Sequence, residues 1–191
     1  MSTSIQTSCI SDDILALLPH RVGTARLRHI HGVVEVSVAL AQRFGVDQGR
    51  ARLAAAAHDM DRDVSVGKGF ALAADWRVVL STTERRNPAL LHGPLSAERL
   101  RRCYGVNDRE LLHAVRHHTL GAPDFGSLGL ILYVADFCEP GRPYLTKDER
   151  REILRLDSLE EMVHSIILLA KERFGRMDSA TAALLHRVSE E

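Results

Sequence analysis

Apolar residues recur at helical spacing along most of the chain, whereas strand signals are scarce. Val-containing stretches such as VVEVSVALA run straight into Ala/Leu-rich sequence and lack hairpin turns. The pattern predicts a nearly all-helical protein. A short helix from about Ser11, with Asp12 and Asp13 favouring its N-terminal dipole, ends near Pro19. A longer helix covers about Thr24 to Phe44, and Gly45 can close it. Asp47 is the expected N-cap of a third, QGRARLAAAAHD, which carries His58 and Asp59 to its C-terminal end. The following VSVGKG reads as loop. Further helical patterns cover about Ala71 to Leu80, Pro88 to Cys103, Asp108 to His118, Ser127 to Cys138, Lys147 to Leu156, Leu159 to Phe174 and Ser179 to Val188. Turn residues at Asn87-Pro88, Gly105, Gly121-Ala122-Pro123, Gly126 and Pro140-Gly141-Arg142-Pro143 separate several of them.

Length and charge narrow the reading. The 191 residues suit an N-terminal extension over 1–23 with a short helix, followed by one helical domain over 24–191. Lys plus Arg equals Asp plus Glu at 25 each, and the pI of about 7.2 offers no global field for nucleic acid or an anionic membrane, so neither partner is expected. Cys9, Cys103 and Cys138 are too few and scattered for a disulfide framework. The opening MSTSIQTSCISDD has no leader pattern, and no apolar run is long enough to span a bilayer, so a cytoplasmic location is expected.

Histidine changes the picture. Ten histidines are more than a core of this kind needs, and several stand beside acids at the ends of apolar segments. Imidazole and carboxylate ligands suit divalent iron, manganese or zinc, and a carboxylate can bridge two ions. The candidates are His31, the His58-Asp59 pair ending AAAAHD, His92 in LLHGP, His118 in RHHT and Asp136 in YVADF. Asp136 interrupts an otherwise apolar helix, where a carboxylate is costly unless paired or bound to a cation. His29 and His31 lie on nearly opposite helix sides with apolar neighbours on both, so spacing does not choose between them. His113 and His117 have an i, i+4 spacing that could hold one ion. The GKG at 67–69 lacks the rest of a phosphate-cradling loop.

This order of ligands resembles the HD superfamily of metal-dependent phosphohydrolases. The words RLRHIHGVVEVSVALAQRFG, AAAAHDMDR, NPALLHGP, AVRHHTLG and ILYVADFCEPGR are similar to successive blocks of its symmetrical diadenosine tetraphosphate hydrolases, from about Arg26 to Leu185. The resemblance implies an all-α HD-domain helical bundle with two divalent metal ions, iron first, with manganese, cobalt or zinc also accepted. It implies cleavage of diadenosine tetraphosphate into two ADP by a hydroxide held between the ions. Carried onto this chain, it places His31, His58, Asp59 and Asp136 on one ion and His92 and His118 on the second, with Asp59 bridging; this is what selects His31 over His29 and sets His113 and His117 aside. Asp59 and Arg62 then carry the catalytic step, while Arg28, Lys68, Arg116, Glu139 and Arg142 contact the substrate.

The chain departs from the family wording at Met60-Asp61-Arg62, where a small residue and a Lys are usual, at Leu91, where an aromatic is common, and at Ala122, where an Arg is common. Asp61 and Asp63 would weaken polyphosphate binding unless they face solvent or are paired. Asp61 and Ala122 therefore motivate an alternative substrate, a nucleoside triphosphate or alarmone. The alternative outside catalysis is a nucleotide-binding HD module without turnover.

Overall fold

The computed structural model describes residues 2–175 and 177–190. Helices α1 (Ser2–Leu17), α2 (Thr24–Arg43), α3 (Gln48–Ala57), α4 (Val66–Asp75), α5 (Thr82–Arg86), α6 (His92–Cys103), α7 (Arg109–His117), α8 (Ser127–Cys138), α9 (Lys147–Arg155), α10 (Leu159–Phe174) and α11 (Ser179–Val188) follow one another, with 3-10 turns at Leu18–His20 and Pro88–Leu90. No strand occurs among the described residues.

Helix α3 is the hub. It packs on α1, α2, α6, α7 and α8, and it can do so because Ala54 to Ala57 are all fully buried and let neighbouring backbones approach closely. Asp47 caps it as the sequence predicts, Oδ1 accepting from Arg50 N at 2.8 Å. Gly45, at φ 68°, closes α2, with Val46 N donating to Ala41 O at 2.9 Å. Helix α8 is buried from Leu128 to Ala135, which explains its nearly continuous apolar sequence. Ile14 and Leu18 from the N-terminal segment join the same core.

Several boundaries differ from the periodicity. Helix α1 begins nine residues before Ser11, at Ser2. The VSVGKG stretch is loop only at Val64 and Ser65: α4 starts at Val66 and includes Gly67, Lys68 and Gly69. Gly69 is tolerated there because α4 lies against α6; a Cβ would meet Leu91 Cδ1 at 3.3 Å. Arg77, at φ 54°, reverses the chain beyond α4, so Val78 to Leu80 are not helical. Helix α5 carries a capping box between Ser81 and Glu84. The stretch after Pro88 is broken at Leu91, so that His92 opens α6. No described helix is long and apolar enough to cross a membrane.

Candidate metal centre

Six side chains converge where α2, α3, α6, α7 and α8 meet. His58 closes α3 and Asp59 follows it; His92 begins α6, His118 ends α7, Asp136 sits in the last turn of α8 and His29 in the second turn of α2. The α6–α7 approach depends on Gly93, where a Cβ would stand 2.5 Å from Arg116 O.

Three of the imidazoles are aimed by the turn of backbone just before them. The Nδ1 atoms of His58, His92 and His118 meet the carbonyls of Ala55, Ala89 and Val115, each three residues earlier, at 2.7, 2.7 and 2.8 Å. A carbonyl only accepts, so each ring is fixed with its proton on Nδ1 and its Nε2 lone pair facing the centre. His29 is held differently, with Nδ1 3.2 Å from Glu139 Oε1. A carboxylate behind a histidine both orients it and raises its basicity as a ligand.

The inward atoms divide into two halves about Asp59. Its Oδ2 lies 3.6 Å from His29 Nε2 and 3.5 Å from His58 Nε2, while its Oδ1 lies 3.1 Å from His92 Nε2 and 3.7 Å from His118 Nε2. Asp136 Oδ1 completes the first half, 3.1 Å from His29 Nε2. Within each half two Nε2 atoms face one another, His29 to His58 at 3.2 Å and His92 to His118 at 3.1 Å. Facing lone pairs beside a carboxylate oxygen call for a proton or a cation between them. The nitrogen and oxygen donors, grouped as His29-His58-Asp59, His58-His118-Asp136 and Asp59-His92-His118, fit divalent first-row metals. Thr119 Oγ1 also reaches His92 and His118 Nε2, at 3.3 and 3.1 Å.

The electrostatics match such a centre. Burial alone would raise the Asp59 and Asp136 carboxyls, yet the surrounding histidines, with Arg142 beside Asp136, hold both far below the usual range. Burial pushes His92 down. Against the same burial, the hydrogen bond and charge of Asp59 raise His118. Two arginines lean on the carboxylates: Arg26 Nη1 is 2.6 Å from Asp59 Oδ2, and Arg142 Nη2 contacts Asp136 Oδ1 while its Nε donates to Asp136 O at 2.8 Å.

The placement corrects the sequence reading at its first ligand. His31 is exposed and lines an open cleft with Arg28, whereas His29 is 8 % exposed and sits in the cluster. The physical reason lies in α2. His29 is in register with buried Val33, Ser37 and Leu40; His31 is in register with exposed Glu35, Ala39 and Gln42. The charge of Glu35 four residues on was the available signal. Arg26, one turn before the cluster histidine, was also missed.

The other expected residues separate by role. His58, Asp59, His92, His118 and Asp136 come together. Glu139 stands behind His29, and also accepts from Gly141 N at 2.5 Å. Arg62 lines a recess beside His92, and its Nη1 reaches Ala89 O at 3.4 Å. Lys68 is exposed on α4. Arg116 is turned to Val79 O at 2.6 Å and Glu84 at 3.6 Å, which ties α7 to the segment before α5. His113 pairs with Asp124 at 3.3 Å and lies with His117 outside the cluster. Both extra acids are engaged: Asp61 is gripped by Arg21 at 2.9 Å and by a forked pair of bonds from Arg99, and Asp63 Oδ2 accepts from Gly23 N at 2.8 Å. They fasten the loop after Asp59.

Comparison with known proteins agrees with this centre. Residues 26–141 match the HD domain family. The chain is 32% identical over 155 residues to the symmetrical bis(5'-nucleosyl)-tetraphosphatase of Bacillus subtilis, covering 81% of this chain and 83% of that protein. It is 29% identical to the protein of the same name from Halalkalibacterium halodurans, over 83% and 86%. A solved structure described as a predicted HD superfamily hydrolase involved in NAD metabolism, from Clostridium acetobutylicum, superposes with a TM-score of 0.83 at 27% identity, covering 94% of this chain and 96% of that one. The chain belongs to the HD-domain hydrolases and, among them, to the family of the symmetrical bis(5'-nucleosyl)-tetraphosphatases.

Proposed function

We propose that this protein hydrolyses diadenosine tetraphosphate symmetrically, giving two ADP, at a centre of two divalent ions, iron first. The observation that carries the reading is Asp59, whose two oxygens each face a different histidine pair. His29, His58 and Asp136 would hold one ion and His92 and His118 the other, with Asp59 able to serve both. Divalent ions held this way supply Lewis acidity, lowering the pKa of bound water toward neutrality and neutralising phosphate oxygens.

The chain's own residues provide the rest. Glu139 and the three carbonyls hold the Nδ1 sides of the imidazoles and so keep each Nε2 aimed inward. Arg26 and Arg142, already at the carboxylates, are cations that inner phosphate oxygens can recruit, and their guanidinium forks suit such oxygens. Arg62 on the His92 side and Arg28 on the His29 side stand where the outer phosphates would leave the centre. Water oxygen bonds to one inner phosphorus and the bond from that phosphorus to the bridging oxygen breaks; the bridging oxygen leaves with the electron pair on one ADP, the water oxygen stays on the other, and the water's proton passes to solvent.

Asp61 does not favour another substrate, because its carboxylate is already engaged by Arg21 and Arg99. Protein loaded anaerobically with iron or manganese should convert diadenosine tetraphosphate to ADP alone, followed by ion-exchange chromatography. AMP plus ATP, or no turnover at full metal loading, would overturn the proposal.

A further inference from the structure

Two recesses flank the centre on its opposite halves, each lined by one of its histidines. One, of about 540 Å³, is bordered by Arg28, His31 and Glu35 of α2 and by Glu139, with buried His29 as its inner wall. The other, of about 230 Å³, lies between the beginnings of α4 and α6, walled by Val66, Pro88, Leu91 and Leu95, with Arg62 on its lining; it shares His92 with the centre. The smaller is below the roughly 300–1,000 Å³ of a site that engulfs a drug-sized ligand, so it suits a single base rather than a dinucleotide. Its lining sets aliphatic Val66, Pro88, Leu91 and Leu95 against polar Asp61, Ser65 and Arg62, so a flat base can pack on the aliphatic side with its polar edge and phosphate toward Ser65 and Arg62. The larger recess is wide and bordered by exposed polar groups, which can hold phosphate and ribose without enclosing a base.

We propose that the two arms of the substrate are bound by unlike sites, a base pocket at Val66, Leu91 and Leu95 on the His92 side and an open polar cleft at Arg28 and His31 on the His29 side. This rests on the proposed function, since it needs the scissile anhydride to lie at Asp59 with an ADP arm toward each recess. The enzyme then reads one nucleoside closely and the other loosely, although its products are identical.

Equilibrium binding of ADP to the metal-loaded protein tests it, alongside steady-state kinetics on diadenosine tetraphosphate. The wild type should bind one ADP tightly and one weakly. Val66→Trp, at a position 54% exposed that borders the small recess, should abolish the tight class and raise KM roughly tenfold or more. Glu35→Trp, also at an exposed position, should remove only the weak class. The inference is overturned if Val66→Trp leaves ADP binding and KM unchanged while ADP remains the sole product, or if both variants weaken the same class. Two unlike ADP classes that respond to these variants in a protein that does not make ADP from the tetraphosphate would instead overturn the functional reading and leave the two sites standing.

Discussion

His29 is held from both ends, its Nδ1 against Glu139 and its Nε2 among Asp59, His58 and Asp136. Glu139 in turn approaches α2 so closely that a Cβ on Gly32 would stand 2.7 Å from its Oε2. A ligand oriented this way should matter more than its neighbour two residues on. His29→Ala is expected to lose one ion per chain by metal analysis and nearly all turnover, whereas His31→Ala keeps both ions. Glu139→Gln should weaken metal binding by about 10–100-fold, the usual effect of removing a partner behind a ligand. Full metal content in His29→Ala would remove it from the ligand set. The five other cluster residues were legible because each sits beside a distinctive word: the His-Asp dipeptide, LLHGP, RHHT and YVADF. RHIHG offers two histidines, and choosing between them requires knowing which face of α2 meets α8, a tertiary fact that only the register with Glu35 and Gln42 hints at.

At the scale of elements, the second half of the centre depends on how closely α6 and α7 pack. Gly93 permits that approach, with Arg116 O 2.5 Å from where a Cβ would be. Because the obstacle is backbone, it cannot swing aside. Gly93→Ala should therefore cost about 1–3 kcal/mol of stability by overpacking, and spread His92 from His118 enough to lose the metal they share. Gly67, in α4 with open space around its missing Cβ, is the control: Gly67→Ala should gain about 0.5–1 kcal/mol from helix propensity alone. Thermal melts and metal analysis of the two variants check both. The pair also shows why α4 was misplaced by sequence reading. Two glycines in VGKGF depress intrinsic helix preference, yet packing of Phe70, Leu72 and Ala73 in one apolar cluster with Leu91 and Leu95 overrides it. Long amphipathic or wholly buried helices such as α2, α8 and α10 were legible because their pattern repeats over several turns. Five-residue α5 has no such repeat, and only the Ser81–Glu84 capping box marks it.

Across the whole molecule, formal charges cancel, while the interior of this centre gathers Asp59, Asp136 and Glu139 against Arg26 and Arg142. Its six side chains come from five helices that no local segment holds together, and α3, which delivers the His58-Asp59 pair, is packed by α1, α2, α6, α7 and α8 at once. The unfolded chain cannot reproduce that convergence, so cations should bind the native state far better than the denatured one. Linkage then makes thermal stability depend on metal: at a free concentration 100 times Kd, one site adds about 2.7 kcal/mol. For a chain of this size, about 1 kcal/mol shifts the melting temperature by roughly 2–4 °C, so about 5–11 °C is expected per tightly held ion. Asp59→Ala removes the residue both halves share and should abolish the metal dependence, leaving a single melting temperature with or without iron or manganese. If wild-type protein melts at the same temperature after exhaustive chelation as after reloading, the six side chains form a structural ion network and not a metal centre.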